Sequence, residues 1–476
     1  MVALTPIYTS LIKYCRENNL RMHMPGHVGR GIFVPELREV ASIDVTEVPG
    51  VDDLHLSQES IEEARLLLAR AFGAKESFFL VNGATSGIHT LFMSLNKGGT
   101  KVLIPRNAHR SFFGGMVLSG ANPVYIPCKA DEELGIFLPA EVKDMLKLLD
   151  QNNEAEAVFI TSPSYFGIAC DIERFAKEVK KQNKLLFVDE AHGSHFSFHS
   201  SYPQPALQGG ADAVVNSFHK TLPVLNQGAC IHIGNGFNRR EQLFSAYSLL
   251  TTTSPSYPLL ASMDLARQFM VERGRELLER ALNLSQEYKK KINRLRGLRC
   301  YGEDLQNFPG VTGVDPLKLL VSVKGLKIDG FKVSEILRCK YKVQVELQDK
   351  NFILAMVSMF HERKDWEKFY KALAEIAITY AGEKKESSTL ELPPYPKVRL
   401  TPRDAFMAVK KKVRFEDCVG LVAGEIVTVY PPGIPCVLPG EMIEEEVFSY
   451  LKYLKRNNVK LQGPEDPSLN YIKVIE

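Results

Sequence analysis

The chain has 476 residues, 45% hydrophobic and 24% charged, an ordinary globular balance with length for two or three domains, so neither disorder nor a fibrous repeat describes it. Lys plus Arg number 59 against 56 for Asp plus Glu, a net charge of +3, which leaves no basic footprint for nucleic acid and excludes it as a first choice of partner. Eight scattered cysteines without a CxxC pair, no run of ~18 apolar residues and no signal-peptide pattern at the N-terminus point to a soluble, cytoplasmic protein with reduced thiols and no membrane partner.

In chain order, residues 1–55 read as an N-terminal arm and 56–296 as a large domain. Within that domain short apolar runs alternate with amphipathic stretches, the pattern of strands joined by crossover helices. Strands are expected at 77–81, 101–105, 123–127, 157–161, 184–189, 212–217 and 229–233, with helices at 138–149 and 171–182. These seven strands predict an α/β fold with one mostly parallel sheet, and a run as apolar as LLFV implies burial on both faces. Ligands of such sheets gather outside the carboxyl ends of the strands. Residues 257–296 keep helical spacing without an interior proline, as one or two long helices. A smaller α+β domain follows at 297–385, where LKLLVSVKGL, ILRCKYKVQVELQ and NFILAMVSMF read as strands around helices. Residues 386–476 form a linker and a C-terminal segment. The charged, then Pro- and Ser-rich stretch 383–402 is the linker, and the four prolines and two glycines of YPPGIPCVLPGE, 430–441, fix an irregular loop.

The chemistry collects after the strands. Asp189 in LLFVDEAHG and Lys220 in AVVNSFHKT come at or just after the ends of buried strands one crossover apart, so both side chains reach one crevice at the sheet's carboxyl edge. That pairing suits pyridoxal phosphate, which needs a lysine to bond its aldehyde and a carboxylate to keep its pyridine nitrogen protonated. Ser217 and His219 are positioned to hold phosphate oxygens. In VNGATSGIHTLFMSL the small and hydroxyl residues Gly83, Ala84, Thr85, Ser86 and Gly87 lie between a strand and a helix, where free backbone N–H groups face an anion. This phosphate cup is neither a Walker loop nor a dinucleotide fingerprint. His109 in PRNAHRSFF follows the next strand, where an imidazole can lie flat on a cofactor ring, and His192 stands three residues after Asp189.

Each residue has a plainer reading. A lysine after a strand is usually solvated surface, an aspartate there is often a helix cap, and a loop histidine is usually packed or hydrogen-bonded. Ser217 and Thr85 have local capping as a rival, and the glycines and prolines of YPPGIP have a simple turn. His195 and His199 look like a metal pair, but without a Cys or acidic neighbour at ligand spacing no metal is expected.

Taken together, HMPGH at 23–27, DDLH at 52–55, NGATSG, PRNAHRS, SPSYFG, VDEAHG, SFHKT and TTTSPSY, followed by TPRDAF, YPPGIP, PGE and QGPED, carry a resemblance. The chain resembles the bacterial ornithine/lysine/arginine decarboxylases, pyridoxal-phosphate enzymes of the aspartate-aminotransferase fold (fold type I). The resemblance implies Lys220 as the cofactor-bonding lysine, Asp189 as partner of the pyridine nitrogen and His109 stacked on the ring. It also implies Ala84, Thr85, Ser217 and His219 around the phosphate and His192 beside the cofactor. Active sites of this fold lie at a dimer interface, so Thr253 or Ser254 would reach the partner subunit's phosphate. The chain looks like a short form without the N-terminal wing domain of the large inducible members, which favours a homodimer or tetramer over a decamer. Where the family often has Gly-Arg before the YPPGIP loop, this chain has Gly420-Leu421, a lost cation that bears on the substrate rather than the cofactor.

The implied reaction is decarboxylation of a basic amino acid in polyamine synthesis, with arginine ranked ahead of lysine and lysine ahead of ornithine. Glu425, Glu441, Glu465 and Asp466 flank the C-terminal motifs and are candidates to bind the substrate's distal cation. The alternatives are an aminotransferase or aldolase-type lyase on the same fold, or a non-catalytic protein that binds polyamines or a partner.

Overall fold

The computed structural model describes residues 4–30, 34–95, 98–131, 135–382, 395–429, 434–457 and 459–476. Two compact units emerge, Met1–Ser94 with Ile172–Glu279, and Leu95–Asp171 with Arg280–Glu476. Among the described residues no helix is long and apolar enough to cross a membrane.

The main sheet has seven strands: β1 (Glu76–Leu80), β2 (Lys101–Pro105), β3 (Asn122–Ile126), β4 (Ala157–Thr161), β5 (Leu185–Asp189), β6 (Ala213–Asn216) and β7 (Ala229–Ile233). Their order is β1-β7-β6-β5-β4-β2-β3. In the first unit β5 and β6 are parallel, while β7 runs antiparallel to both β6 and β1. In the second unit β2 is parallel to both β3 and β4. Every residue of β5, β6 and β7 is buried, as the continuous apolar runs require for strands covered on both faces. Each of the seven expected strands is present, shifted by no more than a residue.

Helix α1 (Gly83–Met93) follows β1, and the short α2 (Phe218–Thr221) follows β6. The expected helices appear at Val142–Gln151 and Ile172–Lys181. The long helical stretch is Tyr257–Phe269, a π-helical turn at Met270–Gly274, and Arg275–Ile292.

In the second unit a four-stranded antiparallel sheet is built from Arg299–Cys300, Lys318–Ser322, Phe352–Met356 and Leu347–Gln348, in that order. The stretch ILRCKYKVQVELQ departs from its strand reading. Its first four residues end the helix Gly330–Cys339, and only Leu347–Gln348 is strand. Asp329 starts that helix by accepting the Lys332 N–H at 2.9 Å, and Val333 and Leu337 then fall on one buried face.

The C-terminal segment has its own core around Phe415, Val427, Ile443, Leu451 and Val474. Of the expected linker, 383–394 lies outside the described residues. The remainder is anchored: the Tyr395 hydroxyl accepts the Cys128 N–H at 2.8 Å and donates to the Cys128 carbonyl at 2.6 Å, and Thr401 caps the helix Pro402–Met407. Of the expected irregular loop, 430–433 lies outside the described residues. Ile434–Val437 is an edge strand paired with Val427–Val429, a position that tolerates Pro435.

Candidate active site

The site in the first unit begins with β5. Its last residue, Asp189, is 7% exposed, and its carboxylate accepts the Ala191 N–H at 3.1 Å. Burial raises the Asp189 pKa, while the Lys220 charge and the Ala191 hydrogen bond pull it back down. The turn after Asp189 carries His192, whose Nε2 lies 3.1 Å from the Lys220 Nζ. Lys220 projects from α2, directly after β6, and is half-buried. Two turns at the ends of parallel strands therefore bring together a buried carboxylate, an imidazole and a lysine amine.

An anion cradle accompanies them. Helix α1 starts at Gly83 with φ +76°, and the Asn82 side chain does not cap it, which suits this helix start to an anion. The helix lies close against the sheet. A Cβ on Gly87 would fall 2.7 Å from Leu80 Cδ1 and 2.9 Å from Val215 Cγ1. Ala84 is half-buried and Thr85 is exposed at this helix start, whereas the Ser86 hydroxyl turns back to the Gly83 carbonyl at 2.8 Å. Ser217 is buried, with Oγ 3.5 Å from His219 Nδ1, and the same ring nitrogen lies 3.2 Å from the Gly228 carbonyl. Burial lowers the His219 pKa, reinforced by the nearby Lys220 and opposed by the Gly228 contact.

These residues fit pyridoxal phosphate. Asp189 is a carboxylate whose burial makes it costly without a cation, which a protonated pyridine nitrogen would supply, and the uncapped start of α1 suits a phosphate.

His109 lies in the second unit, after the carboxyl end of β2. Its Nδ1 accepts the Ser111 N–H at 3.2 Å and lies 3.0 Å from Ser111 Oγ, so in the neutral ring the proton sits on Nε2. The carboxylates suggested for a distal cation all have local partners. Glu425 accepts the N–H groups of Glu465 and Lys473, each at 2.8 Å. Glu441 is 2% exposed and pairs with Arg106 at 2.9 Å. Glu465 pairs with Lys412 and Lys473, and Asp466 accepts the Asn470 N–H at 2.8 Å. Leu421 packs on the C-terminal core. Thr253 and Ser254 are exposed, His195 packs edge-on to Tyr202, and His199 pairs with Glu279 at 2.8 Å.

Sequence reasoning did not single out Glu190 or Asn216, although both are buried beside Asp189 and Ser217 respectively. The available signal was a charged residue within an otherwise buried run.

The fold, with a buried acid and a lysine at strand ends beside an anion-binding helix start, defines a pyridoxal-phosphate enzyme of fold type I. Residues 5–365 match the model of the Orn/Lys/Arg decarboxylase major domain and 385–466 that of its C-terminal domain. The chain is 36% identical to the arginine decarboxylase of Halalkalibacterium halodurans and 36% identical to that of Bacillus subtilis, in each case over 99% of this chain and 98% of the relative. Among solved structures, lysine decarboxylase A from Pseudomonas aeruginosa matches with a TM-score of 0.85 at 19% identity, over 99% of this chain and 80% of that one. The chain belongs to the Orn/Lys/Arg decarboxylase family. It is a pyridoxal-phosphate-dependent decarboxylase whose substrate is a small basic amino acid.

Proposed function

We propose that the substrate is arginine, which the enzyme converts to agmatine and CO₂, with lysine and then ornithine as poorer substrates. The observation that carries this is the near full-length similarity to two proteins named arginine decarboxylases. Bound pyridoxal phosphate supplies the electron sink for the charge left on the α-carbon when CO₂ departs. Lys220 would hold the cofactor at its aldehyde carbon, with its amine left beside the reacting α-carbon. His192, 3.1 Å from the Lys220 amine, then exchanges with it the proton that the α-carbon takes up. Asp189 would keep the ring nitrogen protonated, its burial favouring such a pairing. Ala84, Thr85, Ser217 and His219 would hold the phosphate, and His109 would be the ring-stacking histidine.

The partner contacts of Glu425 and Glu441 favour a structural role for both over binding of the distal cation. The protein works in the cytoplasm as a homodimer or tetramer, with the exposed Thr253 or Ser254 reaching the partner subunit's phosphate. Its working division is arm 1–55, cofactor domain 56–296, small domain 297–385, and linker with C-terminal domain 386–476.

The test is the visible absorbance of the purified protein, followed by CO₂ release with arginine, lysine and ornithine in turn. Expected are a cofactor band that disappears in Lys220→Ala and CO₂ evolution fastest with arginine. Fastest turnover of lysine or ornithine would overturn the arginine assignment. A band that survives in Lys220→Ala would remove that lysine from its role.

A further inference from the structure

The residue after Asp189 is a second carboxylic acid. It follows the end of β5, and the two acids have separate partners. Glu190 is 3% exposed. Its Oε1 accepts the Ala206 N–H at 2.7 Å and its Oε2 accepts the Asn216 side-chain amide at 3.1 Å. The same Asn216 nitrogen donates to the Glu190 carbonyl at 3.0 Å, which also accepts the Gly193 N–H at 2.9 Å and so closes the turn holding His192. The Glu190 N–H donates to the Val215 carbonyl at 2.9 Å. Asn216 ends β6, one residue before the turn that carries Ser217, His219 and Lys220.

We propose that Glu190 is a positioning residue of the decarboxylase: by tying the 189–193 turn to Asn216 and Ala206, it holds Asp189 and His192 in register with Lys220. The inference rests on the cofactor reading of those three residues. Its electrostatics agree with the geometry. Burial, reinforced by the Asp189 charge, pushes the Glu190 carboxyl up to about 8, against the opposing pull of the Ala206 and Asn216 hydrogen bonds. Against burial, which raises the Asp189 pKa, the Lys220 charge lowers it.

Holoenzymes carrying Glu190→Gln and Glu190→Ala test this. Gln keeps an acceptor for Ala206 but sets an NH₂ group against the Asn216 amide, and Ala removes both links. Both variants should show a shifted pH midpoint of the visible cofactor absorbance, with kcat lowered about ten- to a hundredfold, as misplacement of reacting groups gives, and KM little changed. Glu190→Ala should show the larger effect. Asn216→Ala breaks the same tie from the other side and should shift the midpoint in the same direction, which keeps the test decisive where Glu190→Ala does not fold. Variants that melt earlier yet keep the wild-type absorbance midpoint and kcat would overturn the proposal. A wild-type protein without a visible band would instead overturn the cofactor reading, independently of Glu190.

Discussion

Lys220 Nζ and His192 Nε2 stand 3.1 Å apart, and a hydrogen bond between two nitrogens needs a lone pair from one of them. Either a neutral imidazole accepts from an ammonium or a neutral amine accepts from the ring N–H, so the pair has at most one excess charge while the bond holds. Asp189 supplies the balancing negative charge. Asp189→Asn preserves the shape but removes that charge, and kcat should fall by about a hundredfold or more, the scale of losing one electrostatic stabiliser, with the cofactor band retained at reduced intensity; full activity in Asp189→Asn would remove the charge from the mechanism. The placement of Asp189 and Lys220 was legible in the sequence because one ends an apolar run and the other follows one within four residues. The contact between His192 and Lys220 was not, since their separation of 28 residues spans a strand and a loop. Position within the C-terminal motifs directed Glu441 toward substrate. Its partner Arg106 stands 335 residues away, where no local pattern signals it.

The elements themselves were largely readable, because the mostly buried strands of the main sheet announce themselves by composition. What misled was β-branched and aromatic density in ILRCKYKVQVELQ, where the N-cap at Asp329 and the packing of Val333 and Leu337 outweigh strand propensity. The arm shows a different kind of long-range decision. Its helix Pro6–Arg16 has no side-chain cap from Thr5. Instead the Asp264 carboxylate, wholly buried, accepts the Ile7 N–H at 2.9 Å and pairs with Arg267 at 2.7 Å. An anion at a helix N-terminus is favourable, and this one also neutralises a buried guanidinium. Asp264→Ala should cost about 3–5 kcal/mol, as breaking a buried pair does, and limited proteolysis should then cut the arm first. A variant with unchanged melting and protease resistance would show that the arm is held by apolar contacts alone.

Across the whole molecule, His232 and Glu190 are two of several buried groups whose pKa shifts make stability depend on pH, and these two act in opposite directions. His232 is stacked on Phe72 at 4.4 Å, and burial drives its pKa down to about 3. The unfolded chain takes up that proton below roughly 6.5, so stability contributed by the neutral ring is lost as pH falls from there toward 3. Glu190 acts the other way. Folded, it holds its proton up to about 8 against 4.5 unfolded, so its contribution declines as pH rises through that interval. Each slope is limited to about 1.4 kcal/mol per pH unit for a single proton. Melting temperature measured across pH should show His232→Asn with a flatter acid limb and Glu190→Gln with a flatter limb on the neutral side. Parallel curves for wild type and His232→Asn would mean that the ring titrates alike in both states.

The anchoring of the arm also sets an order of events during synthesis. Ile7 and the aspartate that receives it are separated by 257 residues. At about 5–20 residues per second of elongation, the arm waits roughly ten to fifty seconds outside the ribosome before its anchor exists. Throughout that interval the helix can pack on the helix Ser60–Phe72 made soon after it, but the N–H of Ile7 lacks its carboxylate. The helix Pro6–Arg16 thus completes its docking only once residue 264 is made, and a nascent chain stalled before that point would leave its N-terminus unanchored.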